Sequence, residues 1–257
     1  MAKYATRWLR GRPRLRPAHL IRVMPAEECI CVIQPPATRR RFCLLAVVLA
    51  NGDLNPPKDM PARLAAAGLV VAADGGSRHC RTLDLLPDIV VGDLDSLDSE
   101  ARAELEAQGV QFVSHPADKD QTDLELALLH AKQVGALEIL VLAGLGRRWD
   151  HTFANLLLAA HTQFSGQSIL FLDGEQRLFV IRGPVRLDAR MGERVSLLPL
   201  GGDADGVSTR GLQYPLNLET LTFGSSRGIS NVVLTEGAEV DIVAGCLLCV
   251  ISPAELV

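Results

Sequence analysis

From residue 42 to about 172 the chain alternates two textures. Short runs rich in Val, Ile and Leu, namely FCLLAVVLA (42–50), LVVAAD (69–74), DIVVGD (88–93), VQFVSH (110–115), EILVLAGL (138–145) and SILFLD (168–173), alternate with longer stretches over 61–68, 96–108, 122–135 and 150–163. In the longer stretches apolar residues recur every three or four positions, which predicts amphipathic helices. The near-continuous apolar runs predict strands buried on both faces, as in a parallel sheet covered by helices. The expected fold is therefore α/β, with a three-layer parallel-sheet domain over 42–173. In such sheets ligands bind beyond the C-terminal ends of the strands.

After about residue 173 the texture changes. Many short apolar runs are broken by Gly, Pro, Asn and Asp, and no stretch has helix-length periodicity. That predicts antiparallel strands in an all-β sandwich over 174–257, with the boundary near Asp173-Gly174.

Composition narrows the picture in two places. The first 41 residues carry ten Lys or Arg against two acidic residues, a net of +8; with −4 for all 257 residues, the remainder carries −12. A basic extension over 1–41, expected to be disordered or to precede a later start at Met24, thus leads an acidic body, which argues against a nucleic-acid-binding fold. The stretch TRRRFCLLAVVLANG (38–52) has the outline of a twin-arginine export signal, but it is deep in the chain and is read as the first strand. No segment approaches the roughly 20 apolar residues of a membrane span. The six cysteines suggest no disulfide framework, and Cys246-Leu-Leu-Cys249 lies in an apolar strand without a second ligand pair, so buried free thiols in a reducing cytoplasm are expected.

The chemistry gathers at the ends of the strand runs. LVVAADGGS ends on Asp74, DIVVGDLDS on Asp93 and Asp95, VSHPADKDQTD reaches Asp118, Asp120 and Asp123, and LVLAGLGRRWDH ends on Arg147, Arg148, Asp150 and His151. A parallel sheet puts all four groups at one rim. Carboxylates crowded without equal basic partners repel one another unless a cation sits among them; a hard divalent ion, Mg²⁺ with substrate phosphates, fits best. Strand alternation would turn Asp93 and Asp95 to one side and Leu94 to the other. Lys119, Arg147 and Arg148 are the cations for a phosphate chain, although Lys119 could equally be an ion-pair partner. Asp120 or Thr122 could instead cap a helix, with Thr122 and Glu125 forming a capping box, and Asp95-Ser96 could cap another. Neither a Walker motif nor a dinucleotide fingerprint occurs.

Taken together, DGGS (74–77), GDLDS (92–96), KDQTD (119–123), GRRWDH (146–151) followed by ANLLLA, GLQYPL (211–216) and GISN (228–231) resemble the thiamine pyrophosphokinase family, over about residues 42–251. The resemblance implies a cytoplasmic homodimer that transfers a pyrophosphoryl group from ATP to the hydroxyl of thiamine, giving thiamine diphosphate and AMP, with the active site at the subunit interface. It implies that Asp93, Asp95 and Asp123 are the metal and catalytic carboxylates. Asp74, Lys119, Asp120, Thr122, Arg148, Ser230 and Asn231 would line ATP, and Asp150, His151 and Tyr214 would line thiamine, the Tyr214 ring standing where some relatives carry Trp. Family members commonly have paired glycines before the Arg of the fourth motif, where this chain has Gly146-Arg147-Arg148; spacing to Asp150 favours Arg148 for the family role. The alternatives are a pyrophosphokinase for another hydroxymethyl heterocycle such as a pterin, a nucleotide-binding module without turnover, and a structural α/β protein with acidic helix caps.

Overall fold

The computed structural model describes residues 44–95 and 97–254. The expectations for the 1–41 extension, for Phe42 and Cys43 at the start of the first strand, for Cys29 and Cys31, and for Ser96 lie outside the described residues.

All six expected strands form: β1 (Leu44–Leu49), β2 (Leu69–Ala73), β3 (Ile89–Gly92), β4 (Gln111–Ser114), β5 (Ala136–Leu142) and β6 (Ser168–Asp173). The four expected helices form as well, as α1 (Met60–Ala66), α3 (Ser99–Ala107), α4 (Asp123–Gln133) and α5 (Trp149–Ala160). A fifth, α2 (Ser77–Thr82), was not expected. Its six residues, SRHCRT, offer one buried apolar side chain, Cys80, and so no helical stripe to read. The helix boundaries tighten for local reasons: α3 starts at Ser99 because Asp98, rather than Asp95-Ser96, accepts the N–H of Ala101 at 2.7 Å, and Thr122 caps α4 by accepting the N–H of Glu125 at 3.2 Å.

The six strands are parallel in the order β4-β3-β2-β1-β5-β6. The chain builds outward from β1 to β4 and then crosses back to β5 on the other side of β1, so the strand order reverses between β1 and β5. β1 and β2 are buried at every position, as expected for strands covered on both faces. Leu124, Ala127 and Leu128 of α4 and Ala159 of α5 pack on one face, while Leu64, Leu83 and Leu105, from α1, the end of α2 and α3, pack on the other.

The second half is all β among the described residues. β7 (Gln176–Ile181) turns back on β6 through Gly174 and pairs with it antiparallel, and β14 (Leu247–Ser252), β9 (Arg194–Pro199) and β12 (Asn231–Val232) follow. The result is one ten-stranded sheet running through both halves of the chain. A second sheet, in the order β11 (Glu219–Leu221), β10 (Ala204–Arg210), β13 (Glu239–Asp241), β8 (Val185–Arg186), closes the sandwich. Val207, Leu221 and Val240 from it share a core with Phe179, Leu197 and Ile251 of the long sheet. The change from parallel to antiparallel pairing thus falls at the hairpin after Asp173, but no gap in the sheet separates the halves.

Burial pushes the Cys80 thiol up to about 12 and raises Cys249 as well. Neither is expected to react with iodoacetamide at pH 8 in the native protein, since the thiolate is the nucleophile. Peptide mapping after brief labelling checks this; modification of Cys249 at the rate of a free thiol would contradict the buried strand.

Candidate functional site

The C-terminal rim of the parallel sheet is where the acidic residues meet. β2 ends at Ala73, and Asp74 follows in a left-handed conformation (φ 41°) that opens a single 3-10 turn through Gly76. β3 ends at Gly92, directly before Asp93. β2 and β3 are paired neighbours, so Asp74 and Asp93 stand side by side, and the first residue of α4, Asp123, completes the group. Carboxylate oxygens of Asp74, Asp93 and Asp123 lie within 4.8 Å of one another. Asp74 is buried, and its Oδ1 is shielded from solvent with no hydrogen-bond partner. A buried carboxylate oxygen without a donor is costly, and three acidic groups at such separation suit a small oxygen-seeking cation.

The approach depends on Gly92. A Cβ there would sit 2.7 Å from the Cβ of Asp74 and 3.2 Å from Oδ1 of Asp123. No atom at that distance from Asp74 Cβ can swing away as a side-chain tip could.

Asp95 is placed differently from the expectation of strand alternation. Leu94 has φ 65°, in the left-handed region, and its side chain is buried in the core beneath the rim. The Asp93-Leu94-Asp95 segment is therefore a turn, with the N–H of Asp95 donating to Oδ1 of Asp93 at 3.3 Å. The Asp95 carboxyl is exposed and outside the trio. It remains within the field of the group: the negative charge of Asp93, then burial, then Asp74, raises its pKa.

Lys119 donates from Nζ to Oδ1 of Asp123 at 2.6 Å, with Lys119 nearly buried. It is thus an ion-pair partner of the site itself. Thr122 serves as the helix cap described above, and Asp120 is exposed beside it.

The crevice between β1 and β5, where the strand order reverses, brings the basic motif in. The β1 loop presses against the β5 loop so closely that a Cβ on Gly52 would lie 2.2 Å from the carbonyl O of Leu145. Arg147 donates from Nε to Oδ1 of Asp53 at 3.1 Å, and Gly146 leaves the space that the Asp53 carboxylate fills. Gly146 and Arg147 are both left-handed, at φ 89° and 55°. Arg147 therefore occupies a backbone position suited to glycine. Arg148 makes a forked pair with Asp150, whose carboxyl it holds below the ordinary range, while its own pKa is raised. His151 is exposed at the start of α5, and the buried Asn155 donates to the carbonyl O of Gly144 at 2.7 Å, tying this loop to the helix.

In the second half, the amide of Asn231 is engaged at both ends with Tyr214: Oδ1 accepts its N–H at 2.9 Å and Nδ2 donates to its carbonyl at 2.7 Å. Asn231 is thus a support that fixes the backbone under Tyr214, whose ring is exposed. Ser230, at φ 59°, is exposed and donates its N–H to Oγ of Ser196. Sequence reasoning gave no role to Asp53, which sits in an Asn-Gly-Asp loop directly after a strand, or to Asn155, although it lies within the ANLLLA run after the fourth motif.

Two family models match the chain in tandem, "Thiamin pyrophosphokinase, catalytic domain" over residues 61–171 and "Thiamin pyrophosphokinase, vitamin B1 binding domain" over residues 183–247. The chain belongs to the thiamin pyrophosphokinase family. Among relatives, "Thiamine pyrophosphokinase 1" of Oryza sativa subsp. japonica is 27% identical, covering 79% of this chain and 85% of its own length. "Thiamine pyrophosphokinase" of Bacillus subtilis (strain 168) is 26% identical, covering 79% and 96%. The crystal structure of the Bacillus subtilis thiamine pyrophosphokinase superposes with a TM-score of 0.71 at 25% identity, covering 81% of this chain and 99% of that one. The yeast thiamin pyrophosphokinase structure shares the fold, with a TM-score of 0.71 at 17% identity, covering 91% and 92%. As a thiamin pyrophosphokinase the chain is an enzyme, and its activity is ATP-dependent pyrophosphorylation of thiamine.

Gly92→Ala is expected to lower AMP formation by more than about tenfold, roughly 1.4 kcal/mol of barrier, because the added methyl must push Asp74 and Asp123 apart. Steady-state assay beside a thermal melt checks this, and a variant with full activity would contradict the packing of the trio.

Proposed function

We propose that in this chain Asp74, Asp93 and Asp123 hold Mg²⁺ at the strand ends and that pyrophosphoryl transfer takes place above them. The supporting observation is the buried, unpartnered Oδ1 of Asp74 within a trio of carboxylates. This set differs from the expected Asp93, Asp95 and Asp123 by exchanging Asp95 for Asp74. Bound there, Mg²⁺ would supply neutralisation of phosphate-oxygen charge, the main electrostatic need of phosphoryl transfer.

The chain's own residues supply the rest. Lys119, nearly buried and paired with Asp123, orients that carboxylate and adds one positive charge beside the phosphate chain. Arg148 and Arg147 stand at the β1–β5 crevice, where their fork-shaped donors can meet the oxygens of the nucleotide; the left-handed, glycine-like backbone at Arg147 supports Arg148 for the family Arg position. Asp95, exposed and outside the trio, is the carboxylate free to accept the proton of the thiamine hydroxyl as the oxygen attacks the β-phosphorus; loss of the acidic limb of the pH–rate profile in Asp95→Asn would mark that role. Tyr214, fixed by Asn231, offers an exposed aromatic face to the cationic thiamine ring, an interaction worth about 1–2 kcal/mol when desolvated.

The reading includes a homodimer. Trp149, Phe153 and Leu157 are exposed at i, i+4 and i+8 on α5, next to Arg148 and Asp150, and Trp149 is 86% exposed. An apolar stripe that bare is suited to cover by a second copy, which would bring an active site to the subunit interface. A cytoplasmic location agrees with the free buried thiols, and among the described residues no helix is long and apolar enough to cross a membrane. Neither a pterin-type acceptor nor a silent nucleotide-binding module is favoured.

The test is AMP formation from ATP and Mg²⁺ with and without thiamine, for the native protein and Asp93→Asn, with light scattering on the same samples. AMP that appears only with thiamine and falls at least about a hundredfold in Asp93→Asn is the expected result. Thiamine-independent AMP release would contradict the acceptor, and a fully active monomer would remove the dimer.

A further inference from the structure

One loop joins the acidic and the basic sides of the rim. Asn51-Gly52-Asp53 follows β1, and its course is set by the N–H groups of Ala50, Gly52 and Asp53, which donate to the carbonyls of Leu142, Ala143 and Leu145 at 2.9, 2.7 and 2.9 Å. These bonds continue the β1–β5 pairing past the strand ends. On the β5 side of the loop, Asp53 takes Arg147. On the β2 side, Asn51 takes Arg78, whose Nη2 donates to its Oδ1 at 2.9 Å, and a ring nitrogen of His79 lies 3.0 Å from the carbonyl O of Gly52. Arg78 also lies against the turn that carries Asp74. Its Nε donates to the carbonyl O of Gly75 at 3.4 Å, and a Cβ on Gly75 would sit 2.8 Å from its Nη2. The guanidinium therefore stands between the Asp74 turn and the β1 loop, and the residue is exposed.

Charge sets Arg78 apart from the cations that the motifs mark. Lys119 is paired with Asp123, Arg147 with Asp53 and Arg148 with Asp150, so a phosphate must compete with a carboxylate for each of them. Both acceptors of Arg78 are neutral, an amide oxygen and a peptide carbonyl. They orient the guanidinium without offsetting its charge, and they leave donors of the fork unused.

We propose that Arg78 is a further substrate-binding residue, which takes a phosphate oxygen of ATP where the nucleotide runs from the carboxylate trio to the β1–β5 crevice. A held, uncompensated guanidinium makes charge-assisted hydrogen bonds of the stronger kind and loses little freedom in doing so. The inference rests on the proposed site at the strand ends, and its test separates the two.

The probe is α,β-methylene-ATP, which carries carbon at the bridge that the reaction breaks, titrated with Mg²⁺ into the native full-length protein and its variants by calorimetry. Arg78→Ala should weaken binding at least about tenfold, and Arg78→Lys should weaken it less, since the charge returns without the fork. In Arg78→Ala the KM for thiamine should stay within about twofold of the native value. Mn²⁺ affinity without nucleotide should be unchanged, and a thermal melt confirms that the variants are folded. Native-like affinity for the analogue in Arg78→Ala, with affinity lost in Asp93→Asn, overturns the inference alone. A parallel loss of Mn²⁺ affinity in Arg78→Ala also overturns it, making Arg78 a brace of the Asp74 turn. If Asp93→Asn binds the analogue as the native protein does, or if the native protein does not bind it, the strand-end site fails and the inference fails with it.

Discussion

Three carboxylates, from Asp74, Asp93 and Asp123, are held within 4.8 Å of one another with one ammonium, that of Lys119, in contact. Like charges at that separation repel by several kcal/mol at the effective dielectric of a protein surface, about 4 kcal/mol per pair at 4 Å. The fold must therefore hold the group together at a cost, which the proposed cation would offset. The raised pKa of Asp95, pushed first by Asp93 and also by Asp74 and Asp123, is the same repulsion felt by a neighbour.

The scaffold meets that cost with rigidity. β2 and β3 are paired in register, with Ala73 opposite Val91 and little or no solvent access to either, so the residues that follow them have little freedom to separate. Gly92 removes the one methyl that would keep Asp74 away, and Leu94 anchors the following turn by turning into the core. On the other side of β1, the Asp53–Arg147 pair ties the basic loop across the point where the strand order reverses, and the Asn155–Gly144 hydrogen bond fixes that loop to α5. Acidic and basic loops thus face a common crevice because the sheet order puts β2 and β5 on opposite sides of β1.

Much of this was legible along the chain, and what was not has physical reasons. Fully buried strands announce themselves as continuous Val, Ile and Leu, so β1, β2 and β5 could be read directly. α2 could not, since SRHCRT buries only Cys80 among its apolar positions. Spacing alone gave Asp93 and Asp95 as a matched pair, because alternation assumes that the strand continues; the left-handed backbone at Leu94 ends it. Asp74 read as a turn residue near phosphate because its partnership with Asp93 depends on β2 and β3 being neighbours, which is a property of strand order. Lys119 could be read as a phosphate ligand or an ion-pair partner, and the ion pair with Asp123 depends on the course of the loop before α4, which spacing does not give. The sheet that runs unbroken from β6 into β7 is likewise a pairing, invisible in a change of texture.

The most direct measurement is Mn²⁺ binding by electron paramagnetic resonance, without thiamine, to the native protein and to Asp74→Asn, Asp123→Asn and Asp95→Asn. If Asp74, Asp93 and Asp123 are the ligands, the first two variants lose affinity by more than about tenfold, ~1.4 kcal/mol, and Asp95→Asn stays close to the native protein. If Asp74→Asn binds normally while Asp95→Asn does not, the trio is not the cation site.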